Sequence, residues 1–330
     1  MKDIAKDLGI SVVSVSKALR DHPDISAKTR DRVLKHVKER GYQPNILARS
    51  LVTVRSYLVG LIVPDLIHPF IAEIAKALSN VIRPRGYSLI ISSSEEDPAL
   101  ELQEIRQLQA RQLDALVIAS TSMSSEQFDL MEQDGRPYVL IDRNFSDRPS
   151  NFVGVDDVAA GFIATEHLIA IGCRRIAHIG GRKNSTGTGR LDGYKQALLR
   201  HGLSCPKDYI VNRANVDTNS REQGADAMKL LLERNPRPDG VFCYNDPLAI
   251  GAMDVILNAH LRIPQDIAII GSGNLHYDDS LRISLSSIDQ HSQLIGKKAG
   301  EIILELVESK KASPLQRVIL EPTWLSALRP

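Results

Sequence analysis

The sequence is poor in cysteine, in aromatic side chains and in long apolar runs. Cys173, Cys205 and Cys243 are its only cysteines, and none stands in a C-x-x-C spacing. Three cannot all pair within one chain, so a disulfide scaffold and a zinc ribbon are excluded and a reducing, cytoplasmic setting fits. No apolar run approaches the roughly 18–20 residues of a membrane helix. The opening Met-Lys-Asp-Ile-Ala-Lys-Asp lacks the apolar core of a secretory signal. Enzyme signatures are missing too: there is no H-E-x-x-H, no G-x-S-x-G and no G-x-x-x-x-G-K-[ST]. Gly187, Gly189 and Gly193 approach G-x-G-x-x-G but miss its last spacing. The nine histidines are scattered, with His167 and His178 inside helix and strand patterns as ordinary core or surface groups. No catalytic residue, metal or cofactor is expected.

What is present is an ordinary globular composition, 43% hydrophobic and 25% charged over 330 residues. At about 100–200 residues per domain that length predicts two or three domains. The net charge of +1 conceals a split, because residues 1–57 carry 12 basic against 6 acidic side chains. A small basic head on a mildly acidic body points to a polyanion-binding module, although a solvated helix face clusters charge in the same way.

The head contains three short helical patterns. Ile4, Ala5 and Leu8 share one face, and Gly9 ends that segment. Ser11 caps a second helix with Val15, Ala18 and Leu19 inside. Ser26 caps a third, with Ile25 as a staple, Val33, Leu34 and Val37 inside, and Gly41 at its end. Small Ala5, turn-forming Gly9 and apolar Val15 have the spacing of a helix-turn-helix. An ordinary three-helix unit would share much of this pattern. If the second helix enters a major groove, Val12, Val13, Ser16 and Lys17 lead, with valine against thymine methyls and lysine toward guanine. Ser11, Ser14 and the helix N-terminus are then placed to hold phosphate.

From residue 57 onward, apolar runs alternate with helical windows. The runs are Y-L-V-G-L-I-V, Y-S-L-I-I-S, A-L-V-I-A, Y-V-L-I-D, R-I-A-H-I-G, G-V-F-C-Y and I-A-I-I-G; the windows include 98–112, 157–171, 189–201, 246–259 and 291–309. Continuous apolar strands between helices predict parallel sheets covered on both faces. About ten strands are too many for one small sheet, so two doubly wound lobes are expected. Ligands in such folds bind beyond the carboxyl ends of strands. That directs attention to Asp65–Ile71, Ser120–Ser122, Asp142–Arg143, Gly181–Arg190, Asn245–Asp246 and Gly271–Asn274.

The runs D-I-A-K-D-L-G-I-S-V-V-S-V-S-K-A-L-R, S-A-K-T-R-D-R-V-L-K-H-V-K-E-R-G-Y-Q-P-N and A-R-S-L resemble the head of the LacI/GalR family of transcriptional regulators. Farther on, P-D-x-x-H-P-F, R-L-D-G-Y, C-Y-N-D-P-L-A-I-G-A, I-P-Q-D-I-A-I-I-G and L-S-S-I-D-Q resemble family blocks in order and spacing. The resemblance covers residues 1 to about 325. It implies an α/β fold: an all-α helix-turn-helix head and a two-lobed, type I periplasmic-binding-protein-like body with doubly wound parallel sheets. It implies a head at 1–44, a hinge helix and linker at 45–57, and an effector-binding and dimerisation body at 58–330. Lobe one would span about 58–157 and 290–318, and lobe two 158–289 and 319–330. In the family a hinge leucine wedges into the minor groove, a known way to bend DNA. The matching Leu51 is flanked by Asn45, Ala48, Arg49 and Ser50. Effector-binding positions carry over to Phe70, Ile71, Asp142, Thr186, Arg190, Asn245 and Asn274, although loop-capping or lobe-bridging roles are open to each.

The implied protein is a homodimeric repressor on a pseudo-palindromic double-stranded operator. A sugar or related small molecule would switch it from the cleft. A transport binding protein would share the body but lack residues 1–57, and a constitutive architectural protein would need no cleft. There are departures from the family pattern. Met1 stands where Ile is usual and a preceding Thr is absent, so either the start lies upstream or the first helix lacks its cap. Ser14 and Lys17 replace the usual Thr and Arg, Arg20 replaces Asn, and His68 stands where Asn is frequent. The G-aromatic-Asp-[Asn/Asp] block reads Gly271-Ser272-Gly273-Asn274, without its carboxylate. Ser326 stands where an Arg is common. Asp246 is a possible helix cap.

Overall fold

A computed structural model describes residues 1–19, 22–41, 55–214, 216–309 and 313–325. The chain divides into two units, Met1–Ser56 and Tyr57–Pro330.

The first unit holds α1 (Lys2–Leu8), α2 (Val12–Leu19) and α3 (Ala27–Glu39). Ile4, Ala5, Val15, Ala18 and Val33 fill its centre. Met1 opens α1 without a side-chain cap, and Gly9 closes it at φ 63, a left-handed turn that costs glycine little. Ser11 Oγ accepts from the Ser14 amide at 2.9 Å and Ser26 Oγ from the Thr29 amide at 3.3 Å. One expectation fails: Leu34 is 45% exposed. Val33 and Val37 lie one turn apart and face inward together, which rotates Leu34 toward solvent.

The second unit carries two six-stranded sheets. The first contains β1 (Leu58–Val63), β2 (Ser88–Ser93), β3 (Ala115–Ile118), β4 (Tyr138–Ile141), β5 (Phe152–Val155) and β11 (Arg317–Leu320). Its order is β11-β5-β4-β3-β1-β2, and every pair is parallel. The second contains β6 (Ile176–Gly180), β7 (Ile210–Asn212), β8 (Gly240–Cys243), β9 (Ala268–Ser272), β10 (Ser286–Asp289) and β12 (Thr323–Leu325). Its order is β12-β10-β9-β8-β6-β7, parallel except for the antiparallel β10–β12 pair.

Helices cover both faces of each sheet, so central strands such as β1, β3, β4 and β8 are apolar and buried along their length, whereas the edge strands β2 and β11 are partly exposed. On the first sheet, α4 (Pro69–Ile82) and α11 (Ser292–Glu308) cover one face and α5 (Pro98–Ala110) with α6 (Asp129–Asp134) the other. On the second, α7 (Asp157–Ala170) and α8 (Ser185–Arg200) oppose α9 (Ser220–Leu232) and α10 (Asp246–Asn258). Ile74 and Leu78 of α4 are fully buried one turn apart, each contributing about 1.5–3 kcal/mol relative to exposure. The chain passes between sheets after β5, after β10 and after β11. Because β11 continues to Leu320, the third passage lies between Leu320 and Thr323 rather than at 318.

His178 is buried on β6 between Tyr194 and Phe242, with Nδ1 3.0 Å from the Phe242 carbonyl. Burial depresses it to about 4, so the ring is neutral at pH 7. His167 packs against Trp324 with ring centroids 4.3 Å apart and the planes tilted by 30°.

The near-miss glycine motif lies inside α8. A Cβ on Gly193 would lie 2.0 Å from the Val158 carbonyl of α7, and one on Gly161 of α7 would lie 2.1 Å from the Arg190 carbonyl. These glycines bring two helix backbones together. Gly193→Ala is therefore expected to destabilise the body by about 1–3 kcal/mol, the range for overpacking. Thermal and urea unfolding check this, and unchanged stability would contradict the close contact.

Candidate functional site

Two surfaces carry the residues singled out from the sequence. On the head, the first turn of α2 presents Val12 and Val13, 41% and 63% exposed. Ser11 and Ser14 hydroxyls bond each other at 2.9 Å beside them. Ser16 lies half-buried on the same helix. Lys17 is not free, because its Nζ lies 2.7 Å from the Asp24 carboxylate. That hydrogen bond, reinforced by the charge, holds Asp24 below the usual carboxylate range. A base edge must compete with Asp24 for the lysine. Arg20, Asn45, Ala48, Arg49, Ser50, Leu51 and Ser326 lie outside the described residues.

The second surface is the junction of the two lobes, where strands from both sheets end. Arg190, in the second turn of α8, is its centre. Nε donates to Asp157 at 2.9 Å, Nη1 to the Tyr244 carbonyl at 2.6 Å and Nη2 to Gln290 at 2.8 Å. The guanidinium also lies 4.5 Å over the Tyr244 ring. Burial raises Asp157 to about 6 even though Arg190 pulls it down. Thr186, also on α8, bonds the Tyr244 hydroxyl at 2.9 Å.

Asp142 follows β4 in a left-handed conformation at φ 62. Its carboxyl is raised by burial, against the pull of Arg143 and Arg190. Arg143 donates to the Ser120 carbonyl at 3.2 Å and pairs with Asp217 across the junction. Glu101, fully buried on α5, holds the loop after β3 by accepting from Ser120 Oγ at 2.6 Å and Thr121 Oγ1 at 2.8 Å.

Asn245 caps α10, accepting from the Leu248 amide at 2.9 Å. Its Nδ2 donates to the Val216 carbonyl at 2.8 Å and lies 3.5 Å from His68 Nε2. The cap is therefore Asn245, not Asp246. The Asp246 carboxyl turns inward to accept from Ser287 Oγ at 2.7 Å. Phe70 and Ile71 begin α4 and pack into the core of the first lobe, with Phe70 edge-on to His68. Asn274 lines a different depression of about 440 Å³, with Glu73, His276 and His291.

Asp142, Thr186, Arg190 and Asn245 are thus joined through Tyr244, Arg143 and His68, while Asn274 faces elsewhere. Gly273 stands where the family carboxylate is missing. At φ 146, its Cβ would lie 2.7 Å from Asp246 Oδ2, in space that carboxyl already fills. The sequence reading missed Glu96, Asp157, Asp217, Tyr244 and Gln290. Asp217 follows β7, a three-residue strand too short to stand out, so its loop was not recognised as a strand end.

A two-lobed α/β receptor body behind a helix-turn-helix head is the architecture of an effector-binding regulator. The family described as periplasmic binding proteins and sugar binding domain of LacI family matches residues 56–323, and that of bacterial regulatory proteins, lacI family, matches residues 1–45. The ribose operon repressor of Escherichia coli K12 is 30% identical over 324 residues, covering 98% of this chain and 97% of the relative. Catabolite control protein A of Priestia megaterium is 27% identical over 310 residues, covering 93% and 92%. A LacI-family regulator from Silicibacter pomeroyi superimposes with a TM-score of 0.80 at 26% identity, covering 98% and 97%. The transcriptional regulator CelR in complex with cellobiose gives 0.75 at 25% identity, covering 98% and 97%. The chain belongs to the LacI family and is a DNA-binding transcriptional regulator. These relatives are regulators rather than enzymes. Among the described residues no helix is long and apolar enough to cross a membrane.

Removing Arg190 leaves Asp157 buried without its partner. Arg190→Ala is expected to cost about 3–5 kcal/mol in urea unfolding, the range for a broken buried pair. Adding Asp157→Asn should recover part of that loss. A single variant as stable as wild type would contradict the bridging role.

Proposed function

We propose that this regulator is a cytoplasmic homodimeric repressor, switched by a small carbohydrate or related metabolite between its two lobes. The observation that carries the reading is the convergence at the junction of Asp142, from the first sheet, with Thr186, Arg190 and Asn245, from the second. A ligand touching both lobes changes their closure and, through the hinges, the spacing of two heads. It acts only by binding one lobe arrangement better than the other. A two-fold dimer reads a two-fold site, with Val12, Val13, Ser16 and Lys17 toward base edges and Ser11 and Ser14 toward phosphate. The hinge wedge falls to Leu51, flanked by Asn45, Ala48, Arg49 and Ser50. The effector contacts fall to Asp142, Thr186, Arg190 and Asn245, whereas Phe70 and Ile71 lie in the first-lobe core and Asn274 in a separate depression.

Selection of sites from random duplex DNA by the full chain tests this directly. A two-fold symmetric consensus is expected, and its affinity should then respond to one of a panel of sugars. Enrichment of an asymmetric site would refute the dimer. A separate variant, Leu51→Ala, should keep salt-dependent non-specific binding and lose operator bending. Equal loss of both would rule out the wedge.

A further inference from the structure

Glu96 lies in the loop between β2 and α5 of the first lobe, at φ 56, next to Glu95 at φ 49. It is 4% exposed. The second lobe closes on it from two loops. Arg182, after β6, donates Nη1 to the Glu96 carbonyl at 2.9 Å. The Asp217 amide and the Thr218 hydroxyl, between β7 and α9, donate to Glu96 Oε2 at 3.3 and 3.2 Å. The Asp217 amide thus places its side chain beside Glu96, and Arg143 holds the Asp217 carboxylate from the first lobe. Glu96 Oε1 is buried and meets no donor.

Two neighbouring carboxyls, one with an unsatisfied buried oxygen, form a stable pair when they share one proton. We propose that Glu96 is a proton-linked latch between the lobes: a proton shared with Asp217 favours the closed arrangement, and ionisation of Glu96 sets two carboxylates against each other and favours opening.

The surrounding charges come from five loops. Asp65 and His68 follow β1, Glu95 follows β2, Asp142 and Arg143 follow β4, Arg182 follows β6, and Asp217 follows β7. Burial and then Asp217 raise Glu96, Arg143 and Arg182 lower it, and the balance places it at about 7. Burial is the largest influence on Asp217 and opposes its ionisation, but Arg143, His68 and hydrogen bonding together outweigh it and keep that carboxyl low. In an open junction, exposed Glu96 returns toward the ordinary value of about 4.3. The closed state therefore binds the extra proton, so closure is strongest at low pH and weakens as pH rises through about 7. Its effect on operator affinity rests on the proposed switch; the latch itself does not.

The test is amide exchange of Asp217 in the full chain across pH 5–8, corrected for intrinsic rates. Wild-type protection should fall by up to about tenfold per pH unit below 7 and then level off, as linkage to one proton requires. Glu96→Gln, which donates to Asp217 without titrating, should hold protection constant. A flat wild-type profile, or a Glu96→Gln variant that keeps the wild-type slope, overturns the latch. If that variant does not fold, the carboxyl ¹³C titration of wild-type Glu96 decides. A raised midpoint that Asp217→Asn lowers supports the latch, and an ordinary glutamate midpoint overturns it. Operator affinity that ignores pH while Glu96 titrates as expected would refute only the coupling to DNA.

Discussion

The body depends on one buried cation being completely bonded. Arg190 reaches Asp157 at the first passage between lobes, Gln290 at the second and Tyr244 at the end of β8. A charge removed from water in this way is tolerated only when its donors are satisfied and its countercharge is close. The arrangement demands that α7 and α8 approach to backbone contact, which Gly161 and Gly193 permit. Small residues at two helix positions therefore determine where the guanidinium lies, and the guanidinium ties together the segments on which the lobes would hinge.

A second constraint is crowding of carboxyls. Asp246 and Asp278 are buried close together behind the junction, and burial with the Asp246 charge raises Asp278 to about 9. At neutral pH this pair keeps a proton, so one member donates rather than repels. Both Gly271 and Gly273 abut Asp246, and a side chain at either would collide with it. At Gly273, where the family carboxylate is missing, a carboxyl on α10 occupies the space above β9.

Much of this was legible in the sequence, for identifiable reasons. Long apolar strands such as Leu58–Val63 are covered on both faces, and such runs survive as patterns. The head was legible because Ser11, Gly9 and Val15 each perform a local task visible at short range. The edge strands β7 and β12, three residues each, carry too little pattern to register, and the loops that follow them were lost with them. Asp157, Glu96 and Gln290 were invisible for a different reason. Each acquires its role from a partner at least 30 residues away, as with Arg190 and Gln290, and no local periodicity encodes that. Glu101 reads as an ordinary surface position of an amphipathic helix, yet it is fully buried because a loop folds over it.

The junction also constrains how any ligand could act on it. Most of its strong donors are already engaged by the protein: Arg190 three times over, Arg143 through Nη1 and Nη2 with Ser120 and Asp217, and Arg182 and Asn245 with backbone carbonyls; the buried Arg143 Nε alone of these meets no acceptor within hydrogen-bond distance. One buried acceptor, Glu96 Oε1, also remains open. Under the proposed switch a ligand acceptor that does not reach Arg143 Nε must first break an internal bond and gains only the difference. A hydroxyl or amine donor that reaches the open acceptor fills a vacancy and loses less. Closure is already partly supplied by the Arg143–Asp217 pair. The differential affinity that drives switching therefore depends on how a ligand changes that pair, more than on how many contacts it makes.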